Sequence, residues 1–137
     1  MDEYGSHKKE LIKYWLDKAK ESLDSAKSEI DANRITFAVN RLYYALFYAF
    51  SAVLISKGKS YSKHSVVRSE FHRSFVKPGI IDKKTGRLYD ELFNARHQGD
   101  YVPMIDFDKD IVVAQYEDIK MVLPKFEELV ELYQKGK

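Results

Sequence analysis

The fold of this chain is decided by its most apolar stretch, Phe37-Ala-Val-Asn-Arg-Leu-Tyr-Tyr-Ala-Leu-Phe-Tyr-Ala-Phe-Ser-Ala-Val-Leu-Ile55. Neither glycine nor proline interrupts these residues, so they predict one long helix. At 100° per residue, one half of that helix collects almost entirely apolar side chains. This predicted core face consists of Ala38, Val39, Leu42, Tyr43, Leu46, Ala49, Phe50, Val53 and Leu54. Because Asn40, Arg41 and Ser51 would be costly in a lipid bilayer, we expect a buried helix and not a membrane span.

The opposite half of this helix mixes aromatic and small side chains with a few polar groups, which is not typical of a solvated surface. A helix that is apolar nearly all round needs two packing partners, and the domain's own core supplies only one. Asn40, Arg41, Tyr44 and Tyr48 suit either a helix–helix contact or the floor of a cleft. We predict an interface, in which these four residues contribute to a homodimer.

The whole chain is predicted to form a bundle of helices. Its 137 residues fit a single domain, 1–137, with one core. Periodic apolar residues predict helices over about residues 8–31, 33–57, 60–75, 87–98 and 106–134. Gly58 and Gly99 are predicted to end the second and fourth helices, and Pro124 to kink or split the last one near Lys120. Expected N-caps are Ser60 or Ser62 for the third helix and Asp106 or Asp108 for the fifth. The expected fold is therefore all-α, an up-and-down bundle of four main helices with a short fifth.

Composition limits the class of protein and the kinds of site. The chain has no cysteine, which excludes a disulfide framework and a thiolate metal site. Its N-terminus lacks the basic and then apolar pattern of a signal peptide, so we expect a cytoplasmic protein without a membrane partner. Residues 32–77 carry eight Lys or Arg and one acidic residue, between acidic flanks. That basic middle suits an anionic partner, or equally the neutralisation of the acidic helices beside it.

One candidate site is the segment Arg96-His-Gln-Gly-Asp-Tyr101 at the end of the fourth predicted helix. Helical geometry puts Arg96 on the flank of the core stripe and His97 on the outside. The predicted break at Gly99 would present Asp100 and Tyr101 from the following turn. An arginine can hold a phosphate through two hydrogen bonds, and a nearby His or Tyr can move a proton. The alternative is an Arg96–Asp100 pair that closes the helix end, with Tyr101 packed on it.

A second candidate lies on the third helix, where His64, Arg68 and His72 follow at i, i+4 and i+8. The two histidines are too far apart to ligate one metal ion, and we expect no acidic partner on that face, so no metal site is predicted. His64 and Arg68 could contact phosphate or take part in catalysis. Alternatively, His64 is a structural residue whose polar atoms are satisfied at the helix start.

Three blocks of sequence give the chain a family resemblance. They are Ala38-Val-Asn-Arg-Leu-Tyr-Tyr-Ala-Leu-Phe-Tyr-Ala49, Lys63-His-Ser-Val-Val-Arg-Ser-Glu-Phe71 and Ala95-Arg-His-Gln-Gly-Asp-Tyr101. In these blocks, and over most of its length, the chain resembles the small stand-alone HEPN-domain proteins of bacteria and archaea. No phosphate-binding glycine loop, nucleophile elbow or HExxH motif is present.

The resemblance implies a homodimeric bundle of four or five helices that works beside a minimal nucleotidyltransferase, often as a toxin–antitoxin component. The resemblance also implies a candidate activity, since several HEPN groups are metal-independent endoribonucleases. Those ribonucleases share a motif of an Arg, a polar residue, a spacer and then a His. Arg96 and His97 match the first two positions, whereas Tyr101 stands roughly where that His would be. A tyrosine titrates near 10 and is a poor general base at neutral pH.

The leading hypothesis is therefore a HEPN module that binds a nucleotide or RNA, needs no cofactor and is not an independent enzyme. Its expected ligand-binding residues are Arg96, His97, Asp100, Tyr101, His64 and Arg68. One alternative is a metal-independent ribonuclease, with Arg96 stabilising the phosphorane and His97 or His64 moving the proton. In that case the catalytic candidates are Arg96, His97 and Tyr101. A further alternative is a helical interaction scaffold without a ligand.

Overall fold

The computed structural model describes residues 3–101 and 107–136, with side chains described for 7–97 and 107–136. The elements in chain order are α1 (Glu3–Asp31), α2 (Ile35–Ser56), α3 (His64–Phe71), a π-helical turn (His72–Val76), α4 (Lys83–Tyr101) and α5 (Lys109–Lys135). Over the described ranges the chain forms no strand, which confirms the predicted all-α bundle. The short fifth helix of that prediction is α3.

Helix α2 is the centre of the bundle and packs against α1, α4 and α5. All nine residues of its predicted core face are buried. Helix α2 is long and apolar enough to cross a membrane, but two-thirds of its apolar window, 67%, is buried inside the protein. Packing against the other helices therefore accounts for its hydropathy. Around Phe50, an aromatic core joins Phe71, Phe75 and Phe126, so that α2 holds the α3 segment and α5 together.

Several predicted helix ends are confirmed by specific hydrogen bonds. Helix α2 ends just before Gly58, which has a φ of +78° and donates its N–H to the Ile55 carbonyl at 2.8 Å. Glycine is favoured at such a left-handed position because it has no Cβ to clash with the backbone. Asp108 caps α5, since its carboxylate accepts from the N–H groups of Asp110 and Ile111 at 2.9 and 3.2 Å. Of the two caps proposed for α5, Asp108 is the one observed.

The predicted bounds of α4 were wrong at both ends. The helix begins earlier, at Lys83, because the Asp82 carboxylate accepts the Thr85 N–H at 2.9 Å and caps the first turn. It also continues past Gly99 to Tyr101, so Gly99 does not end it. A glycine inside a helix costs only about 1 kcal/mol relative to alanine, which the rest of the helix can offset.

Two further expectations about helices were wrong. Helix α3 begins at His64 after Lys63, and neither Ser60 nor Ser62 provides its N-cap. The predicted split of α5 near Lys120 is the second, because the helix runs unbroken from Lys109 to Lys135, whereas a kink at Pro124 stays a prediction. The proline removes one backbone donor, but Pro124 and Lys120 are both exposed, so water can bind the carbonyl that this donor would have reached.

Glu70 is an acidic side chain buried on α3, with only 2% of its surface exposed. Lys59 Nζ donates to one carboxylate oxygen at 3.1 Å, and Arg73 donates to the other at 2.7 Å. Burial alone would raise the pKa of Glu70, but hydrogen bonds from Arg73, Lys59 and Ser74 outweigh it and lower the pKa to about 2. Through these hydrogen bonds, the Glu70 carboxylate links α3 to the segment after α2 and to the π-helical turn.

The π-helical turn packs closely against the start of α4 at Gly86. A methyl group placed on Gly86 would lie 3.1 and 3.2 Å from the two γ-carbons of Val76 and 3.3 Å from Cε1 of His72. Such contacts are shorter than ordinary van der Waals separations. Gly86 therefore allows His72 to approach α4, and π-helical turns of this kind often occur at functional sites.

Replacing Gly86 with alanine is expected to lower the free energy of unfolding by about 1 kcal/mol. Alanine normally stabilises a helix relative to glycine by about 0.5–1 kcal/mol, but the crowding against Val76 and His72 should cost about 1–3 kcal/mol. Urea denaturation measures the net effect. In a chain that also carries Val76→Ala, Gly86→Ala should be neutral or stabilising. An equal loss in both backgrounds would contradict the predicted contact.

Candidate functional site

The candidate site is built around Tyr43, a fully buried residue of α2. Its hydroxyl lies 2.9 Å from Nδ1 of His64, the first residue of α3. The imidazole of His64 also stacks on the ring of Phe47, with ring centroids 4.2 Å apart. Tyr43 and Phe47 are neighbours on α2, and their rings stack at 5.9 Å. Helix α2 thus fixes both the position and the tilt of the histidine.

Arg96 of α4 contacts the ring of the same tyrosine. Its guanidinium carbon lies 5.2 Å from the ring centroid of Tyr43 and 5.4 Å from that of Tyr44. These are cation–π distances, which hold the guanidinium against the two rings. Arg96 is half-buried, as its place on the flank of the core stripe predicted. The cluster of Tyr43, Tyr44, His64 and Arg96, here called the Tyr43 cluster, therefore joins three helices.

Charge and burial set the protonation states of the Tyr43 cluster. Burial lowers the pKa of His64, and the positive charge of Arg96 lowers it further. Burial raises the pKa of Tyr43 to about 12, although Arg96 opposes that change. At neutral pH the imidazole is therefore largely uncharged and the phenol keeps its proton. The Tyr43 hydroxyl can donate that proton to Nδ1, and the imidazole proton then lies on Nε2.

A second polar group adjoins the Tyr43 cluster. Oδ1 of Asp90, from α4, lies 2.8 Å from Nε of Arg68 and 2.8 Å from Nε2 of His72. The guanidinium carbon of Arg68 lies 4.7 Å from the centroid of Phe93, whose ring meets Tyr43 edge-to-face at 6.1 Å. The expectation of no acidic partner for Arg68 and His72 was therefore wrong. The carboxylate comes from a different helix, which spacing along α3 could not reveal.

The remaining predicted site residues are placed as follows. His97 is exposed, as its position on the helix predicted. The side chains of Asp100 and Tyr101 lie outside those described, although the helix backbone continues through both positions. The expectation that they leave from a turn after the helix was therefore wrong.

The four residues predicted for a dimer interface lie partly against α1. Arg41 is exposed and donates to Ser25 Oγ at 3.1 Å and to the side-chain oxygen of Asn40 at 3.1 Å. Tyr48 stacks on Trp15 of α1 at 5.2 Å, and Asn40, Tyr44 and Tyr48 are half-buried. Helix α1 thus supplies much of the second packing partner that α2 requires. The homodimer stays a prediction.

The sequence had placed Tyr43 in the core and gave it no role in the site. A signal was nevertheless present, because a buried tyrosine in a stripe of aliphatic residues usually needs a partner for its hydroxyl. Phe47 and Asp90 were also overlooked. Phe47 falls between the two assigned faces of α2, and Asp90 is distant in sequence from the residues that it contacts.

A comparison with known protein families matches the HEPN domain to residues 12–136. The chain belongs to the HEPN-domain family. This HEPN-domain protein is 41% identical over 126 residues to a UPF0332 protein of Thermotoga maritima, a match that covers 92% of this chain and 96% of the relative. It is also similar to a protein of Methanocaldococcus jannaschii named as a candidate toxin. That match is 33% identical over 104 residues and covers 76% of this chain and 70% of the relative.

Proposed function

We propose that this HEPN-domain protein binds the phosphate of a nucleotide or RNA at the Tyr43 cluster. The observation that carries the proposal is that Arg96 and His64, candidates from separate helices, meet at Tyr43. Arginine is well suited to phosphate because its guanidinium donates two parallel hydrogen bonds and keeps its charge. Arg68 lies over Phe93, whose ring contacts Tyr43, but its charge is paired with Asp90, so Arg96 is the principal phosphate contact.

We further propose that the protein acts in the cytoplasm as a homodimer in a toxin–antitoxin-like system. The name of the Methanocaldococcus jannaschii relative supports a toxin-like role. The partner would be a minimal nucleotidyltransferase, as the family resemblance implies. A phosphate-binding site is consistent with such a partner, because both proteins would then bind nucleotides or RNA.

A second candidate function is a metal-independent endoribonuclease. It is favoured by a specific observation: the ring of His64 is held by Tyr43 near Arg96. Burial and the positive charge of Arg96 lower the pKa of this imidazole and favour its neutral form. This role needs the other neutral tautomer, in which Nδ1 carries the proton and donates it to the Tyr43 hydroxyl. Nε2 of His64 can then accept the proton of a 2′-hydroxyl that attacks the adjacent phosphate, and Arg96 can stabilise the charge on the phosphorus-bound oxygens. His64 would then take the role of the family histidine that is replaced near Tyr101.

The deciding experiment uses one fluorescein-labelled single-stranded RNA in two assays. Fluorescence anisotropy measures binding to the purified protein, and gel electrophoresis after incubation with excess EDTA measures cleavage. Binding without cleavage is the expected result and supports a binding module. Cleavage that resists EDTA and disappears in His64→Asn would favour the endoribonuclease. Absence of binding to RNA, to nucleoside monophosphates and to inorganic phosphate would contradict both functions and leave an interaction scaffold.

A further inference from the structure

A cavity of about 260 Å³ lies directly beside the Tyr43 cluster. It opens between α1, α2 and the segment that leads into α3, and it is called here the aromatic pocket. Its lining combines aromatic rings, serine hydroxyls and two aliphatic side chains. The lining residues are Trp15, Phe47, Ser51, Leu54, Ile55, Ser60, Tyr61, Ser62 and His64.

We propose that the aromatic pocket binds a nucleobase, namely the base attached to the phosphate that Arg96 holds. This inference rests on the proposed function and adds to the phosphate site a separate site for the base of the same ligand. Planar bases stack on aromatic side chains with little regard to sequence, because every base has a π-face. Trp15 and Tyr61 offer such rings around one small volume, and the ring of Phe47, stacked on His64, forms part of the wall.

The size and polarity of the pocket fit a single base. Small-molecule sites commonly measure about 300–1,000 Å³, so this cavity suits one planar ring system and not a complete dinucleotide. The serine hydroxyls on its wall can donate to and accept from the polar edge of a base. Ser51 donates its own hydroxyl proton to the Phe47 carbonyl at 2.8 Å, which leaves its oxygen lone pairs available as an acceptor.

Two side chains of the pocket lie against the Tyr43 cluster or belong to it. His64 lines the pocket and is hydrogen-bonded to Tyr43, over which Arg96 lies. Phe47 lines the pocket as well, and its ring stacks on that of Tyr43. Phe47 and His64 thus connect the pocket to the ring of Tyr43, over which the guanidinium lies. A base in the pocket would therefore leave its sugar beside His64 and its phosphate toward Arg96.

The only tryptophan of the chain is Trp15, so its fluorescence reports on the pocket. We expect AMP and UMP to quench this fluorescence on binding, whereas ribose 5-phosphate should not quench it and should bind about tenfold more weakly. Isothermal titration calorimetry measures the affinity of the non-quenching ligand. Tyr61→Ala should weaken AMP binding by about tenfold, since one stacking ring is lost. Phe37→Ala, which removes an exposed aromatic residue of α2 outside the pocket, is the matched control.

The outcomes separate this inference from the proposed function. If Arg96→Gln abolishes binding but ribose 5-phosphate binds as tightly as AMP, the phosphate site stands and the base pocket is wrong. The base pocket is also wrong if Tyr61→Ala and Phe37→Ala bind AMP equally well. If adenosine quenches Trp15 in a Tyr61-dependent way while Arg96→Gln leaves AMP binding unchanged, the pocket stands and the phosphate site is wrong. If none of these probes binds, both are overturned.

Discussion

Replacing Glu70 with glutamine is expected to lower the free energy of unfolding at pH 7 by about 3 kcal/mol. The carboxylate is 2% exposed and is held by Lys59 and Arg73, and its pKa falls from an ordinary 4.5 to about 2. Each unit of pKa difference between the folded and unfolded states corresponds to about 1.4 kcal/mol of stability. Glutamine keeps the shape of the side chain but loses its charge and therefore this contribution.

The same reasoning fixes the dependence on pH. Because folding lowers the pKa of Glu70, its contribution is complete above the unfolded value of 4.5 and is lost as the pH falls toward 2. Chemical denaturation of the two proteins at pH 7 and pH 3 should therefore show a difference in stability that shrinks at the lower pH. Glu91→Gln, at an exposed position on α4, is the matched control. A loss of similar size in the control, or one independent of pH, would contradict the role of Glu70.

Replacing Arg96 with glutamine is expected to weaken RNA binding by about thirtyfold at low salt. Hydrogen bonds to charged groups contribute about 1.5–3 kcal/mol each, and glutamine supplies neither the charge nor the fork of donors. Loss of one phosphate contact should also reduce the slope of log affinity against log salt concentration by about 1. Fluorescence anisotropy at several salt concentrations measures both effects.

Two further variants make the Arg96 experiment specific. Arg87→Gln removes an exposed arginine from the same helix, so it changes the net charge equally without touching the Tyr43 cluster. Its affinity for RNA should stay within about twofold of the wild type. Arg96→Lys keeps the charge but loses the planar fork, and an intermediate affinity is expected. Equal weakening by Arg87→Gln and Arg96→Gln would show that only overall charge matters, which would contradict a built site.

The sequence predicts the fold well because helical periodicity is a local property. The core face of α2 and the cap at Asp108 depend on residues within a few positions of one another, and both are confirmed. The wrong predictions concern elements that the surrounding bundle decides. Gly99 and Pro124 are locally unfavourable inside a helix, yet α4 and α5 continue through them. Around Pro124, the buried residues Val122, Leu123 and Phe126 hold α5 against the bundle.

The candidate site was only partly predictable for a related reason. Arg96 and His64 could be singled out as chemically capable residues, but their meeting at Tyr43 depends on how α3 and α4 cross α2. The bond between Tyr43 and His64 spans 21 residues, and that between Arg68 and Asp90 spans 22. Spacing along one helix carries no information about such pairs, so Asp90 was not found.

Because Tyr43 is buried, the residues that support the candidate site are also residues of the hydrophobic core. Grafting the α4 motif onto another helical bundle would transplant the arginine but not the phenol that orients His64 or the ring that supports the guanidinium. A designer who wanted this constellation elsewhere would need to transfer the packing of three helices together with it. By the same logic, a substitution at position 43 would disturb the packing of the interior and the orientation of His64 at once.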